Sequence, residues 1–143
     1  MPNLSIIGSL SACLINASVA NNIDPKLLTA IAVVEGGKPG LVSVNKNGTH
    51  DLGVMQINTG AWLKTISNTF FNGDNNQAYI RLKNDGCFNI AVGAWILSYS
   101  IRNENGDVWE GVGRYHSRTP KYKYRYIRKV KYIYAKNGGY KSK

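Results

Sequence analysis

The stretch Pro25 to Glu35 is bounded at both ends by residues that fix where a helix starts and stops. Asp24 is a good N-cap, and Pro25 suits the first helical position, where its missing N–H costs nothing. Leu27, Leu28, Ile31 and Val34 follow at helical spacing, and Gly36-Gly37 ends the pattern. The spacing predicts a helix over 25–35. Glu35 falls on the same face as Leu27 and Ile31, the face such a helix buries. A carboxyl there is desolvated and sits at the negative end of the helix dipole. Both effects disfavour the charged form and raise the pKa. A carboxyl that stays protonated near neutral pH can give a proton to a leaving-group oxygen. The other reading is a helix-terminal Glu that turns to solvent, the commoner fate of a charged residue.

Further on, an Asn47-Gly48 turn separates Val42–Val44 from Asp51-Leu52-Gly53-Val54. The pattern predicts a short hairpin. It sets a second carboxylate, Asp51, in surroundings unlike those of Glu35. Two carboxyls in different settings titrate differently, as acid/base chemistry on a glycosidic bond requires. Asp51 keeps two readings, a charge stabiliser or a hairpin residue capping local backbone donors.

The rest of the chain reads as helical, so the fold class is α+β, mostly α. Helices are expected near 12–22, 59–67, 75–82, 88–103, 108–116 and 121–136, with a loop from Thr69 to Asn76. Ile90, Ala94, Leu97 and Ile101 give the 88–103 segment an apolar stripe, which makes it the central buried helix. Trp62 and Trp95 read as core, and Trp109 fits either core or surface. A length of 143 residues suits one domain, 1–143, with a real hydrophobic core. No stretch approaches the roughly 18 to 20 apolar residues of a membrane span. Residues 1–12 are mildly apolar and lack a preceding Lys or Arg. They read as a signal-peptide remnant or as part of an ordinary first helix.

Charge is uneven. Arg114 to the end, the basic segment 114–143, holds eleven Lys or Arg, no Asp or Glu, and seven of the nine tyrosines. The residues before it hold seven Lys or Arg against eight acids. Such a segment can bind nucleic acid, with cations on phosphates and tyrosines on bases. It can also hold the protein near an acidic polymer. The spacing of Tyr122, Tyr126, Val130, Ile133 and Tyr134 favours a third reading, a basic amphipathic helix with its aromatics packed inward. No nucleic-acid partner is therefore expected. Cys13 and Cys87 are free thiols in a reducing compartment or one bridge in an oxidising one. His50 and His116 are isolated, and neither a metal nor a cofactor is expected.

Three motifs in order resemble the lysozyme superfamily. Glu35 with Asn45 through Asn58 carries the first likeness. Gly53-Val54-Met55-Gln56 resembles the Gly-Leu-Met-Gln motif of lytic transglycosylases related to the soluble lytic transglycosylase. Asn47-Gly48 through Asp51, and on to Gln56-Ile57-Asn58, resembles the active-site hairpin of animal C-type lysozymes. Gly111-Val112-Gly113-Arg114-Tyr115-His116-Ser117 resembles the third transglycosylase motif. Cys13, Gly93–Leu97 and Tyr115-His116 are similar to the small specialised transglycosylases of conjugation, pilus and secretion systems. The likeness spans about Cys13 to Val130. Two positions depart from it: Gly36 stands where Ser usually follows the catalytic Glu, and His116 where Asn follows the Tyr.

The resemblance implies a lysozyme-like fold and a peptidoglycan lytic transglycosylase, with a hydrolytic lysozyme as the alternative. It implies Glu35 and Asp51 as catalytic residues, and Met55, Gln56, Asn58, Tyr99, Tyr115 and His116 as substrate-binding residues. Met55 and Gln56 line the groove, and the Tyr115 hydroxyl holds Glu35; a core Met55 and a core Tyr115 with a backbone partner are the alternatives. It favours a Cys13–Cys87 bridge, worth about 4 to 5 kcal/mol in the chain-entropy model. The implied partners are peptidoglycan glycan strands and components of a secretion, pilus or conjugation machine. The implied setting is a monomer, periplasmic or exported, in a bacterial envelope.

Overall fold

The computed structural model describes residues 9–139. Most of the possible signal remnant, residues 1–8, and the final residues 140–143 lie outside it. In chain order the elements are α1 (Ser11–Ala20), α2 (Pro25–Glu35), β1 (Val42–Val44), β2 (His50–Leu52), β3 (Ile57–Asn58), α3 (Thr59–Phe70), α4 (Asn75–Asn84), α5 (Gly86–Asn103), α6 (Val108–His116) and α7 (Pro120–Lys136). The fold is α+β and mostly helical, as the patterning requires.

Short polar side chains set the helix starts. Asp24, Asn58, Asp74, Asp85 and Asp107 each accept a bond from a backbone N–H in the first turn that follows. Such a cap contributes about 1 kcal/mol. The α3 helix runs on to Phe70, so the loop expected from Thr69 shrinks to the residues before Asn75.

The α5 helix is central: Ile90, Val92, Ala94, Ile96 and Leu97 are all buried on it, and it packs against α1, α4 and α6. Leu28 and Ile31 of α2, Leu52 of β2 and Val130 of α7 are among the other fully buried residues. Each such side chain contributes about 1.5 to 3 kcal/mol on burial. The Cys13–Cys87 disulfide ties α1 to the first turn of α5 with Cα atoms 5.3 Å apart.

The sheet has three strands, not the two of a simple hairpin. Its order is β1-β2-β3, with Val42 opposite Leu52 and Asp51 opposite Asn58. The second strand stops at Leu52 because Gly53 takes φ +72°, a left-handed conformation that ends extended pairing. Gln56, at φ +53°, completes the reversal. A two-residue β3 carries too little alternation to be read from sequence.

Residues 120–136 of the basic segment form α7, which packs against α2 and α6. Tyr126, Ile127 and Val130 are buried, while Tyr122 is 48% exposed and does not belong to the inward stripe. Among the described residues no helix is long and apolar enough to cross a membrane.

Candidate active site

Two adjacent glycines bring the acid to the sheet. Gly36 caps α2 in the left-handed conformation, φ +71°. Gly37 is buried where a Cβ would collide with the carbonyl oxygens of Gly53 and Val54. Only glycine lets the end of α2 approach the β2–β3 turn this closely. Glu35 and Asp51 thereby line one cleft of about 750 Å³, together with Gln56, Asn58, Trp62, Tyr99, Tyr115 and His116.

Glu35 is part-buried, and its pKa is raised from 4.5 to about 7. Desolvation is the main cause, a hydrogen bond from Tyr126 opposes it, and the nearby charge of Asp51 adds to it. The Tyr126 hydroxyl donates to Glu35 Oε2 at 2.6 Å. Burial and the neighbouring Glu35 push the Tyr126 pKa well above 10, so it remains a donor throughout the working range. The side chain holding Glu35 is therefore not Tyr115, whose hydroxyl donates to the Met55 carbonyl at 3.0 Å. Tyr115 pins the motif turn instead. The sequence signal for Tyr126 was a tyrosine in a buried helical stripe, since a buried hydroxyl needs a partner; the pattern does not say which.

The opposite wall is held locally. Asn58 Nδ2 donates to Asp51 Oδ1 at 2.9 Å and to Thr49 Oγ1 at 3.0 Å. The same Asn58 caps α3 through its Oδ1, so one residue ties the carboxylate to the sheet and to a helix start. Gln56 Nε2 donates to the Gly53 carbonyl at 3.0 Å; its amide faces the turn, with no bond to Glu35. Beneath the turn lies Asn89, a residue sequence reading missed. It is buried, accepts from Met55 N at 2.8 Å, and donates to the carbonyls of Leu52 and Leu82 at 2.8 Å. An asparagine in an apolar helix was the available signal, since buried amides are bonded.

Three assignments change. Met55 is fully buried, seated against Gly93, where an added Cβ would meet its side chain. It belongs to the core under the turn and not to the groove. Trp62, read as core, lines the cleft and meets Trp95 and Tyr99 edge-on at 5.6 and 5.9 Å. Trp95 and Tyr99 stack on each other at 5.5 Å and are 37% and 40% exposed. An aromatic cluster thus stands at one side of the cleft. Trp109 lies elsewhere, edge-on to Tyr134 with Lys131 over its ring.

His116 stacks flat on the Tyr126 ring, centroids 4.4 Å apart. Desolvation and the charge of Lys129 lower its pKa, so it is neutral near pH 7. Among the described residues no group of three or more His, Cys, Asp or Glu could hold a metal ion.

Sequence comparison now decides the class. The model of the transglycosylase SLT domain matches residues 12–132. This chain belongs to the transglycosylase SLT family. It is also 36% identical over 141 residues to the invasion protein IagB of Salmonella typhimurium (strains SL1344 and LT2), covering 95% of this chain and 83% of that protein. IagB of Salmonella typhi is 36% identical over 138 residues, covering 93% and 81%. The family's members are lytic transglycosylases that act on peptidoglycan, and this SLT chain is an enzyme of that class.

The two departures from the SLT pattern have local accounts. Gly36 adopts a left-handed φ that strains a serine, and nothing lies within 4 Å of where its Cβ would stand. His116 covers the face of the tyrosine that bonds Glu35, a ring-on-ring contact for which asparagine has no ring.

Proposed function

We propose that this enzyme cleaves the β-1,4 bond between N-acetylmuramic acid and N-acetylglucosamine, with Glu35 as acid and then base and a 1,6-anhydro product. The observation that carries the reading is a cleft carboxyl whose pKa is raised to about 7. Protonated, Glu35 gives its proton to the glycosidic oxygen; the bond to the muramoyl C1 breaks, and N-acetylglucosamine leaves with a new hydroxyl. The carboxylate left on Glu35 then takes the proton of the muramoyl C6 hydroxyl as that oxygen bonds C1. Glu35 ends protonated and no water is consumed. The nucleophile belongs to the substrate and acts at high effective molarity.

Asp51 stabilises positive charge at C1 in the transition state. Tyr126 positions Glu35. Gln56, Asn58, Tyr99 and His116 contact the glycan, and Trp62 joins them from the cleft wall. Tyr115 and Met55 shape the turn from beneath. We take residues 1–143 as one lysozyme-like domain working in the bacterial envelope. The Salmonella relatives carry the name invasion protein, which supports a role in opening the wall locally for a secretion or conjugation apparatus.

Mass analysis of muropeptides released from purified sacculi tests the reaction. Anhydro products are expected from the wild type and none from Glu35→Gln. Reducing-end products would instead make it a lysozyme-type hydrolase, the reading that a second cleft carboxylate, Asp51, favours.

A further inference from the structure

The cleft is lined by cations as well as by the two carboxylates. Arg114 and Arg118 both line it, on either side of Tyr115, His116 and Ser117. Arg114 is turned to Glu104 at 3.4 Å. Arg118 is exposed and makes no ion pair among the described residues. Its loop is braced: Ser117 Oγ accepts from Thr119 N at 3.0 Å, and Pro120 opens α7 directly after. Lys129 of α7 also lies close enough to His116 for its charge to act there.

A neutral N-acetyl sugar gains nothing from an unpaired guanidinium. A planar carboxylate does, because the guanidinium fork matches it with two parallel bonds. Where a muramoyl sugar carries a peptide, its lactyl carboxyl is tied up in the amide bond, and the free carboxylates are on that peptide. We infer that Arg118, backed by Arg114, takes a carboxylate of that stem peptide and so makes the cleft favour strands whose peptides carry free carboxylates over strands whose carboxyls are blocked. The inference rests on the peptidoglycan reading above and names the part of the substrate that these arginines recognise.

The test uses the full chain and purified sacculi, either native or with their carboxyl groups converted to amides. Binding by co-sedimentation needs no turnover. Arg118→Gln is expected to bind native sacculi about fivefold more weakly than wild type. On amidated sacculi the wild type itself weakens, and the gap between the two closes. Arg118→Lys restores part of the affinity on native sacculi, since it keeps the charge but loses the fork. Arg125→Gln makes the same charge change on an exposed residue outside the cleft lining and is the control for bulk charge. In turnover, Arg118→Gln raises KM on native strands by the same factor, with a much smaller change in kcat.

An equal loss on native and amidated sacculi overturns the inference, because the residue then serves the glycan or the fold. An equal loss in Arg125→Gln overturns it too, because net charge then suffices. A wild type that binds sacculi but releases no muropeptide defeats the proposed reaction, while the binding comparison still decides Arg118.

Discussion

Glu35 and Asp51 face the same cleft from walls built in different ways. Glu35 ends a helix, and the hydroxyl that holds it comes from α7, 91 residues further along the chain. Asp51 sits on a strand, and the amide that holds it, Asn58, is seven residues away on the next strand. One carboxyl depends on how two distant helices pack; the other travels with its own sheet. Burial raises the pKa of Glu35 to about 7, while Asp51 accepts a side-chain bond from Asn58 at 2.9 Å. In the proposed mechanism, proton transfer falls to the wall made by packing and fixed charge to the wall made by pairing.

The largest effect comes from removing the acid. Glu35→Gln is expected to lower turnover of sacculi about a hundred- to ten-thousand-fold, measured by muropeptide release. The same change should stabilise the fold. With a folded pKa near 7 against an ordinary 4.5, folded Glu35 keeps its proton at pH values where the unfolded chain has lost it. The cost to stability is absent below pH 4.5, grows as pH rises through that window, and levels at about 3 kcal/mol above pH 7. Denaturant melts of Glu35→Gln should therefore match wild type at pH 4 and exceed it at pH 8. An equal difference at both pH values breaks the contrast between the walls.

Asp51→Asn is expected to slow turnover by well over tenfold, or roughly 1.4 kcal/mol and more. Substrate binding should change little, because the charge it answers develops only in the transition state. A rate near wild type would show that Glu35 works without a charged partner.

Tyr126→Phe sharpens the comparison further. If Glu35 acts as the acid, the enzyme needs it protonated, so kcat/KM should fall as pH rises through about 7. The Tyr126 bond lowers the Glu35 pKa, so removing it should move this alkaline limb to higher pH. The rate at low pH should drop about threefold to tenfold as the carboxyl loses its fixed position. An unmoved limb with a lower rate would make Tyr126 merely structural.

The smallest effect is expected at Asn58. Asn58→Ala removes a helix cap and the Asp51 bond together, costing about 1 to 2 kcal/mol of stability by thermal melting. Its rate should fall less than that of Asp51→Asn, and the pH limb should stay where it is. A shifted limb would mean that Asn58 sets the distance between Asp51 and Glu35, since the Asp51 charge acts on the Glu35 pKa.

Sequence reading went furthest where a few neighbouring residues decide the outcome. Asp24-Pro25 and Gly36-Gly37 fix the bounds of α2, and Val108–His116 emerged as read. Glu35 was legible because apolar spacing and a glycine stop locate it on a helix, and its raised pKa follows from that place. Packing decided the rest. No local rule tells Tyr115 from Tyr126 as the partner of Glu35; the approach of α7 to α2 does. No pattern separates a motif methionine in a groove from one beneath it; the closeness of Gly93 to the turn does. Trp62 looked like core because aromatic residues on an amphipathic helix usually are, and only the placement of α3 beside α5 opens its ring to the cleft. Propensity and capping act within a few residues, so the sequence determines elements and their buried faces. Which side chains meet across a cleft depends on contacts between segments far apart in the chain, and only the tertiary structure fixes those.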